Sequence, residues 1–398
     1  MKICLIIDDY LPDSIKVGAK MMHELAIEFV SRGHNVTVVA PSPSLTQQFE
    51  ISELDGITLC RFRSGKIKNV SKIKRAINES LLSYCAWQAY KSYFQQQPHD
   101  LIVYYSPTIF WGSLVTRLKK MWGAKSYLVL RDFFPQWVID NGLLSAKSPI
   151  TYYFRFFETL NYRAADVIGI QSPKNLVWFS KSSGTKKQLE LLYNWAANEP
   201  EPDTCGNYCQ TLGLKNKVVY FYGGNIGHAQ DMMNIVRLAK SMLIETTAHF
   251  VLVGAGDEVE LVRSAIEQYQ LTNMTLLPPV TQKEFKKMLA EFDVGLFSLH
   301  CDHSTHNFPG KLLGYMVQGK PILGSINHNN DLQDVIENAN AGFVTINGDD
   351  IGLFNNALTL LHNHELRKSQ GMNANKLVLD MFSVQVAANK ILATVTNV

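Results

Sequence analysis

The sequence has little cysteine, little net charge and no long apolar run. Its six cysteines are too few and too scattered for a disulfide framework in a chain of 398 residues, so the fold depends on apolar cores rather than on cross-links. No apolar stretch approaches the ~20 residues that span a bilayer. Asp8 and Asp9 follow the first short apolar run, which is unlike a secretory signal. The sequence therefore predicts a cytoplasmic protein whose contacts with membranes are peripheral.

The net charge is small as well. Lys and Arg number 38 and Asp and Glu number 35, which leaves a net charge of +3 and does not by itself indicate a nucleic-acid-binding protein. Hydrophobic residues, in contrast, make up 46 % of the chain, enough for packed cores and too much for compositional disorder. At roughly 150 residues per domain, the length predicts two or three domains.

Short apolar runs alternate with longer helical patterns along the whole chain. Each run is continuous, as expected for parallel strands that helices cover on both faces. The predicted strands are residues 2–7, 35–40, 101–105, 127–131, 167–170 and 189–193 in the first half and residues 218–222, 250–253, 274–277, 294–298, 321–324 and 343–346 in the second. Residues 351–398 look entirely helical. The pattern predicts an α/β fold of two Rossmann-like, doubly wound domains.

Residues 198–203 mark a boundary between the two series, because their two prolines cannot continue a helix or an inner strand. We predict an N-terminal domain of residues 1–197 and a C-terminal domain of residues 198–380. A final helical segment, residues 381–398, is predicted to return to the first domain. Ligands of open parallel sheets bind beyond the carboxyl ends of the strands. Two such sheets facing across a cleft would place the chemistry in the loops that follow the strands.

One of these loops is residues 223–227 (GGNIG), which follows the strand at 218–222 and precedes a helix predicted to begin near Ala229 or Gln230. Glycines let a backbone approach a ligand closely, and the free amides of a helix N-terminus suit an anionic phosphate. The alternative is a glycine-rich tight turn without a ligand.

A second loop is residues 254–258 (GAGDE), which resembles the start of a dinucleotide fingerprint. Val259 replaces the third glycine, and Asp257 and Glu258 would repel a pyrophosphate, so this is not a dehydrogenase fingerprint. The backbone of this loop remains a reasonable contact for a nucleotide base or ribose.

A third element is residues 306–323, in which Pro309 and Gly310 are predicted to open a helix. Lys311 then lies in the first turn, where a cation opposes the helix dipole at a cost of roughly 0.3–1 kcal/mol. An unfavourable charge at that position suggests an anionic ligand. The alternative is a solvated surface lysine.

These three elements, in this order and spacing, resemble the C-terminal domain of GT-B retaining glycosyltransferases of family four. The closest likeness is to bacterial O-antigen and capsule L-fucosamine (FucNAc) transferases. The likeness extends to the first domain through residues 17–19 (VGA), 131–135 (RDFFP), 171–173 (QSP) and 193–195 (YNW). It implies metal-independent transfer, with retention, from a UDP-sugar such as an N-acetylated deoxyhexosamine to a polyprenyl-diphosphate-linked saccharide.

The resemblance also implies roles for particular residues. Lys311 would neutralise the donor diphosphate, and Asp132, which follows a predicted strand, would orient the acceptor hydroxyl or steady positive charge on the sugar. An ion pair of Asp132 with Arg131 is the structural alternative. The residues expected to bind substrates are Gly18, Arg131, Gly224, Asn225, Gly227, Gln230, Gly254, Gly256, His306 and Gly310.

The sequence departs from the family pattern at two places. The usual pair of glutamates would fall at His306 and Gly314, and the usual Arg and Lys after the first glycine loop correspond to Asn225 and Gln230. These departures leave two alternatives open: a UDP-sugar epimerase of the same architecture, and a non-catalytic nucleotide-sugar-binding partner.

His300, His303 and His306 recur at every third residue, which invites a metal site. Tight zinc sites need three or four converging ligands, and no second ligand cluster appears in the sequence. We therefore predict no metal here, and a cleft loop in which His306 contacts the donor.

Residues 61–75 contain seven basic residues and no acidic one, and an aromatic-rich stretch follows at residues 81–94. A second basic and aromatic patch covers residues 110–122. Basic residues attract anionic headgroups and aromatic side chains favour the membrane interface. The sequence predicts an anionic membrane surface, and no nucleic acid, as a partner of the first domain. The alternative is a solvated helix whose aromatic side chains face the core.

Overall fold

A computed structural model describes residues 1–14, 16–67, 70–140, 142–202, 207–301 and 308–396. The chain divides into two compact units. The first unit comprises Met1–Asn194 and Val384–Val398, and the second comprises Trp195–Ser383. Within the described ranges, no helix combines the length and the apolar character that crossing a membrane requires.

The first unit is built on an eight-stranded sheet of order β3-β4-β2-β1-β5-β6-β7-β8. All its neighbouring strands pair in parallel except β3 and β4. The strands are β1 (Lys2–Ile6), β2 (Asn35–Ser42), β3 (Phe49–Leu54), β4 (Ile57–Arg63), β5 (Leu101–Ser106), β6 (Lys125–Leu130), β7 (Val167–Ile170) and β8 (Gln188–Leu191). The helices are α1 (Val17–Ser31), α2 (Lys72–Ser80), α3 (Leu82–Gln96), α4 (Gly112–Trp122), α5 (Gln136–Asp140), α6 (Pro149–Ala164) and α7 (Pro173–Ser182).

The second unit is built on a six-stranded, fully parallel sheet of order β11-β10-β9-β12-β13-β14. Its strands are β9 (Val218–Asn225), β10 (Ala248–Ala255), β11 (Met274–Leu277), β12 (Val294–Ser298), β13 (Ile322–Ile326) and β14 (Gly342–Ile346). Its helices are α8 (Tyr208–Thr211), α9 (Met232–Ser241), α10 (Val259–Gln268), α11 (Gln282–Glu291), α12 (Gly310–Val317), α13 (Leu332–Asn338), α14 (Asp350–His362) and α15 (His364–Leu377). A 3₁₀ turn (His228–Gln230) and a π turn (Val378–Phe382) complete it, and the last helix of the chain, α16 (Val384–Thr396), belongs to the first unit.

The predicted fold class is confirmed: both units are doubly wound parallel α/β domains. All twelve predicted strands are present, most of them with ends shifted by a few residues. Continuous apolar runs favour strands that helices cover on both faces, although the edge strands β8 and β11 are only partly buried. In each unit the strand order reverses at one point, between β1 and β5 in the first sheet and between β9 and β12 in the second. Such a switch point leaves a crevice beyond the carboxyl ends of the two strands, where ligands of this fold class bind.

Two strands were not predicted, β3 and β4. They form a hairpin around Asp55 and Gly56, both with positive φ (51° and 75°), as expected for a two-residue Asp-Gly turn. Side chains along β3 alternate between exposed and half-buried, so the strand lacks the continuous apolar run by which the others were recognised. The Asp55-Gly56 pair was the sequence feature that could have indicated this hairpin.

The domain boundaries differ from the predicted ones by a few residues, since the units divide after Asn194 and after Ser383. The described part of the predicted linker, residues 198–202, lies within the second unit. Gln318 donates to the Glu201 carbonyl at 2.6 Å and accepts from the Glu201 amide at 2.9 Å, so this stretch is tied to the second unit. Prolines prevented regular structure there without preventing packing.

The C-terminal helix α16 packs against α1 of the first unit. Arg32 donates to Asn389 at 2.6 Å, and the Lys390 ammonium donates to the Leu191 carbonyl at 2.5 Å. The buried side chains of α16 are Val384, Ala387, Ala388 and Ile391. The last helix, α16, therefore belongs to the layer of helices that covers the sheet of the first unit.

Candidate functional site

The switch point of the second unit brings Gly224 and Lys311 together. Gly224 lies near the end of β9 with a φ of +125°, which L side chains rarely adopt. A Cβ built on Gly224 would lie 3.5 Å from Lys311 Cε and 3.7 Å from Nζ, and no closer atom faces it. The lysine enters from the first turn of α12, which begins at Gly310 after Pro309, as predicted. The exposed backbone of Gly224 and the Lys311 ammonium thus lie side by side.

The Lys311 ammonium has no hydrogen-bond partner among the described residues, although its Nζ atom is fully buried. It lies 3.6 Å from the centroid of the Tyr222 ring, and this cation–π contact offsets only part of the lost hydration. Burial lowers the pKa of Lys311 to about 7, because desolvation disfavours the charged form. The predicted alternative of a solvated surface lysine is therefore wrong. The arrangement suits an anion that would supply the missing counter-charge.

Two other predicted glycines are required by close backbone packing. A Cβ at Gly254 would lie 1.8 Å from the Gly224 carbonyl oxygen, and one at Gly256 would lie 2.0 Å from the Ile226 carbonyl oxygen. A Cβ at Gly227 would meet only the ends of the Asp257 and Asn225 side chains, which can move. Of these glycines, Gly224 is the one whose open face lies beside a cation.

The helix that follows the glycine loop begins later than predicted. A 3₁₀ turn covers His228–Gln230, Asp231 has a φ of +46°, and α9 starts at Met232. The Met232 amide already donates to the Glu258 carboxylate at 3.2 Å. A side chain of the protein thus satisfies this one amide of the helix N-terminus, and phosphate binding by the glycine loop stays a prediction.

Asn225 and Gln230, which stand where relatives place Arg and Lys, contact each other. The Asn225 amide donates to Gln230 Oε1 at 2.6 Å. This neutral pair adds no positive charge to the loop, so Lys311 is the cation that the described residues place against Gly224.

Of the three histidines considered for a metal, His303 and His306 lie outside the described residues. His300 is described, and its ring lies 4.8 Å from that of His228. Across the described ranges, no group of three or more His, Cys, Asp or Glu side chains is placed to hold a metal ion.

The switch point of the first unit gathers Asp8, Tyr105, Arg131 and Asp132 near the start of α1. Gly18 is in the first turn of α1 rather than in a loop, and a Cβ there would lie 2.6 Å from the Tyr105 hydroxyl. The predicted Gly18 is thus explained by its contact with Tyr105. Burial raises the pKa of Tyr105; Arg131 opposes that shift, while Asp8 and Asp132 add to it. These effects place Asp8, Arg131 and Asp132 within electrostatic reach of Tyr105.

Asp132 does not form an ion pair with Arg131 among the described contacts. The Arg131 guanidinium instead lies 3.2 Å from Met21 Sδ. Asp132 is solvent-exposed along part of its surface, yet partial loss of hydration raises the pKa of its carboxyl and Arg131 only partly offsets the rise. The structural alternative for Asp132 is not supported, and its carboxylate is available to a ligand.

Sequence reasoning missed a cavity of about 320 Å³ that Asp8 lines. Asp8, Tyr10, Asp13 and Arg61 line it together with residues 40–44, 66 and 67. Burial raises the pKa of Asp8 to about 6. The pair Asp8-Asp9 directly after β1 was the available signal, because carboxylates after inner strands lie where ligands bind.

A buried hydrogen-bond chain fixes one wall of this cavity. The Tyr10 hydroxyl lies 2.9 Å from His23 Nδ1, and His23 Nε2 lies 3.0 Å from the Asp55 carboxylate. Asp55 belongs to the hairpin turn between β3 and β4. The unpredicted hairpin therefore holds His23 and, through it, the Tyr10 side chain at the cavity.

Only part of the predicted membrane patches lies at the surface. Arg61 lies on β4 between Asp13 (3.6 Å) and Glu50 (3.8 Å). Five of the expected interfacial aromatic or leucine side chains are buried in the unit: Leu82, Tyr90, Phe94, Phe110 and Trp111. For these side chains the alternative of core-facing aromatics is confirmed, because α3 and α4 pack against the sheet.

Comparison with known proteins agrees with this geometry. Residues 216–363, which include both Gly224 and Lys311, match the sequence family described as Glycosyl transferases group 1. The chain is 20 % identical over 338 residues to the putative colanic acid biosynthesis glycosyl transferase WcaI of Escherichia coli (strain K12), covering 80 % of this chain and 82 % of the relative.

Two solved structures extend the likeness to the whole chain. HepE of Anabaena in complex with UDP is 16 % identical and superposes with a TM-score of 0.72 over 100 % of both chains. WaaG, a glycosyltransferase involved in lipopolysaccharide biosynthesis, is 15 % identical with a TM-score of 0.65 over 98 % of this chain and 99 % of that one. The fold is the GT-B fold. At these identities the structural likeness establishes the fold alone. The segment that matches the group 1 family is the one that contains Lys311.

The close approach of two backbones at Gly254 predicts a large stability effect. Gly254→Ala should lower the free energy of unfolding by about 1–3 kcal/mol or more, because the new methyl group would overlap the Gly224 carbonyl. Gly314→Ala, within α12, is the matched control. A Cβ at Gly314 would lie 3.6 Å from the Leu289 side chain, which is an ordinary van der Waals contact. Alanine should leave stability unchanged or raise it by up to about 1 kcal/mol there. Urea unfolding followed by circular dichroism measures both, and equal effects would contradict the packing argument.

The isolated ammonium of Lys311 predicts opposite effects on stability and on anion binding. Lys311→Met should raise the free energy of unfolding without ligand by about 1–3 kcal/mol, because an unsatisfied buried polar group is removed. The same change should abolish binding of inorganic pyrophosphate, used as a small diphosphate anion, in calorimetry. Lys283→Met, at an exposed lysine of α11, is the control and should change neither quantity.

The lowered pKa also fixes the sign of the pH dependence. The Lys311 pKa is about 7 in the folded state against an ordinary value of 10.5, so the unfolded chain binds more protons between these values. Stability without ligand should rise with pH across that range, and this rise should be smaller in Lys311→Met. Affinity for pyrophosphate should fall above pH 7 by up to about tenfold per unit. A pyrophosphate affinity independent of pH would contradict the assignment.

Proposed function

We propose that the protein is a retaining glycosyltransferase that transfers a sugar from a UDP-sugar to a lipid-linked saccharide during synthesis of a bacterial surface polysaccharide. The observation that supports the proposal most is the buried Lys311 ammonium beside the open face of Gly224. Both residues lie within the segment that matches group 1 glycosyl transferases.

The chemistry asks for a cation at this position. Cleavage of the anomeric C–O bond leaves both bonding electrons on the nucleoside diphosphate, whose charge increases in the transition state. An ammonium already held in place stabilises that charge more than it stabilises the ground state. At ~4 Å and an effective dielectric constant near 20, one charge contributes up to about 4 kcal/mol. The low dielectric around Lys311 thus favours departure of the diphosphate.

Lys311 also makes a metal-independent reaction reasonable. In many phosphate-transfer sites a divalent cation neutralises the diphosphate, whereas here a protein ammonium supplies a positive charge. We propose that the enzyme needs no metal cofactor and keeps its activity in the presence of a chelator.

The first unit offers groups for an acceptor. Asp132 presents a carboxylate without an ion-pair partner among the described contacts, and its raised pKa reflects partial loss of water. We propose that Asp132 orients the attacking hydroxyl or steadies positive charge on the sugar, and that Arg131 helps to position it. The cavity lined by Asp8 and Tyr10 supplies hydrogen-bonding groups suited to a saccharide.

The relatives point to the substrate class. WcaI is described as a colanic acid biosynthesis enzyme, HepE was solved with UDP, and WaaG acts in lipopolysaccharide biosynthesis. We propose a UDP-activated N-acetylated deoxyhexosamine, such as L-FucNAc, as donor and a polyprenyl-diphosphate-linked saccharide of O-antigen or capsule as acceptor. The protein would then act at the inner face of the cytoplasmic membrane.

The test incubates the purified protein with a panel of UDP-sugars, with and without a polyprenyl-diphosphate saccharide, in the presence of EDTA. Acceptor-dependent release of UDP with a product of unchanged anomeric configuration by NMR supports the proposal. Isomerisation without acceptor would instead identify an epimerase, and binding without turnover would identify a non-catalytic partner. Loss of transfer on adding EDTA would overturn metal independence.

Asp132 can be tested apart from the donor site. Asp132→Asn should reduce turnover by about 10²-fold or more while UDP affinity stays unchanged, because the carboxylate acts on the acceptor or the sugar rather than on the diphosphate. Asp140→Asn, at an exposed carboxylate of the same unit, is the control. Near-normal turnover of Asp132→Asn would remove the assignment.

A further inference from the structure

Strand β9 loses its neighbour on one side where the crevice of the second unit opens. Its pairing with β12 ends at Phe221, opposite Gly295. Its pairing with β10 on the other side continues to Asn225. The backbone groups of residues 222–225 that face away from β10 therefore need partners other than a strand, because a buried backbone group without a hydrogen bond costs free energy.

A tyrosine of α12 supplies one of these partners. The Gly223 amide donates to the Tyr315 hydroxyl at 3.0 Å, and this hydrogen bond is buried. The Tyr315 ring reaches β9 by passing over Gly295 of β12, where a Cβ would overlap the ring. Lys311 lies four residues earlier in α12 and therefore on the same face of the helix. The helix that carries the ammonium is thus tied directly to the residue before Gly224.

A second tyrosine, on β9 itself, supplies another partner. The Tyr222 hydroxyl donates to the Asn225 carbonyl at 2.5 Å. The centroid of the same ring lies 3.6 Å from the Lys311 ammonium nitrogen. The side chain of Tyr222 is fully buried, as is that of Tyr315. One side chain therefore closes the glycine turn and also supports the cation.

The two hydrogen bonds enclose Gly224. One holds the residue before Gly224 by its amide, and the other holds the residue after it by its carbonyl. Gly224 has a φ of +125°, and glycine has many other conformations open to it, so a fixed one needs restraints from outside. Both restraints come from side chains that are also linked to Lys311, one through the helix and one through its ring.

The contribution of the two tyrosines is geometric rather than electrostatic. Burial raises the pKa of Tyr222 and of Tyr315 above the ordinary value for a phenol, because desolvation disfavours the phenolate. Both hydroxyls therefore stay protonated over the range in which Lys311 titrates, since its pKa is about 7. Neither tyrosine adds a charge to the crevice, and Tyr222 remains a hydrogen-bond donor throughout.

We infer that Tyr222 and Tyr315 are positioning residues of this site. Their hydroxyls hold the backbone on either side of Gly224, so that its open face stays beside Lys311 to receive a diphosphate. The inference rests on the proposed function for what the site binds. It goes beyond that function by assigning part of the affinity to two side chains that act through the backbone and the lysine.

The test measures binding of inorganic pyrophosphate by calorimetry in Tyr222→Phe and in Tyr315→Phe. Phenylalanine keeps the ring, so each variant loses only a hydroxyl, and residue 222 still supports Lys311. Each variant should bind pyrophosphate about tenfold more weakly, which is the typical contribution of one hydrogen bond. The pH dependence of binding should stay that of the unchanged protein, because the titrating ammonium is retained.

Tyr220→Phe is the matched control. The Tyr220 hydroxyl is also buried and lies two residues earlier on β9, but it donates to the Ala357 carbonyl of α14 at 2.7 Å rather than to the glycine loop. Its loss should lower the melting temperature about as much as Tyr222→Phe does, since each variant removes one buried hydrogen bond. The affinity for pyrophosphate should be unchanged in this control.

Hydrogen exchange read by mass spectrometry tests the position of the loop without a ligand. Peptides that cover residues 223–231 should exchange faster in Tyr315→Phe than in the unchanged protein, because the Gly223 amide loses its partner. The same peptides should exchange at the unchanged rate in Tyr220→Phe.

The outcomes separate this inference from the proposed transfer reaction. An unchanged pyrophosphate affinity in either Tyr222→Phe or Tyr315→Phe would overturn the inference for that residue, and a loss of the same size in Tyr220→Phe would overturn it for both. Absence of pyrophosphate binding by the unchanged protein would overturn it together with the assignment of an anion to Lys311. Binding that depends on both hydroxyls, without any transfer of sugar, would support the inference and remove the proposed function.

Discussion

An unbalanced positive charge in a buried position is the constraint on which the second unit depends. Lys311 has its ammonium against the Tyr222 ring and beside Gly224, without a hydrogen-bond partner in the described part of the chain. A fold selected for stability alone would place an apolar side chain there, because desolvation of an ammonium costs more than one cation–π contact returns. The cost is understandable if an anionic ligand completes the site.

The backbone around Lys311 is arranged to leave that ligand a place. Gly254 and Gly256 let the ends of β9 and β10 approach until backbone meets backbone, and Glu258 satisfies the start of α9. With these positions filled by the chain itself, the open face of Gly224 and the first turn of α12 are left beside the ammonium. The glycines of these two loops are therefore needed for different physical reasons. Among Gly224, Gly254 and Gly256, the one with an open face beside a cation is Gly224.

The first unit also combines packing contacts with groups that a ligand could reach. Asp8, Arg131 and Asp132 each act electrostatically on the buried Tyr105, and Asp8 and Tyr10 line one cavity. A hairpin outside the doubly wound core holds His23 and, through it, Tyr10 in place.

The sequence by itself determined the strands other than β3 and β4, the fold class, and the start of the helix that carries Lys311. Continuous apolar runs and the Pro-Gly pair at a helix start are local features of the sequence. An apolar run that helices cover on both faces forms a strand of a parallel sheet. The sequence did not determine which glycines face a ligand, that residues 198–202 pack on the second unit, or which aromatic side chains lie at the surface. Those outcomes depend on contacts between residues far apart in the chain, such as Gly254 with Gly224, Glu201 with Gln318 and Tyr153 with Ser80. Only the tertiary structure decides them, because composition and spacing do not specify what a side chain meets once the strands are packed.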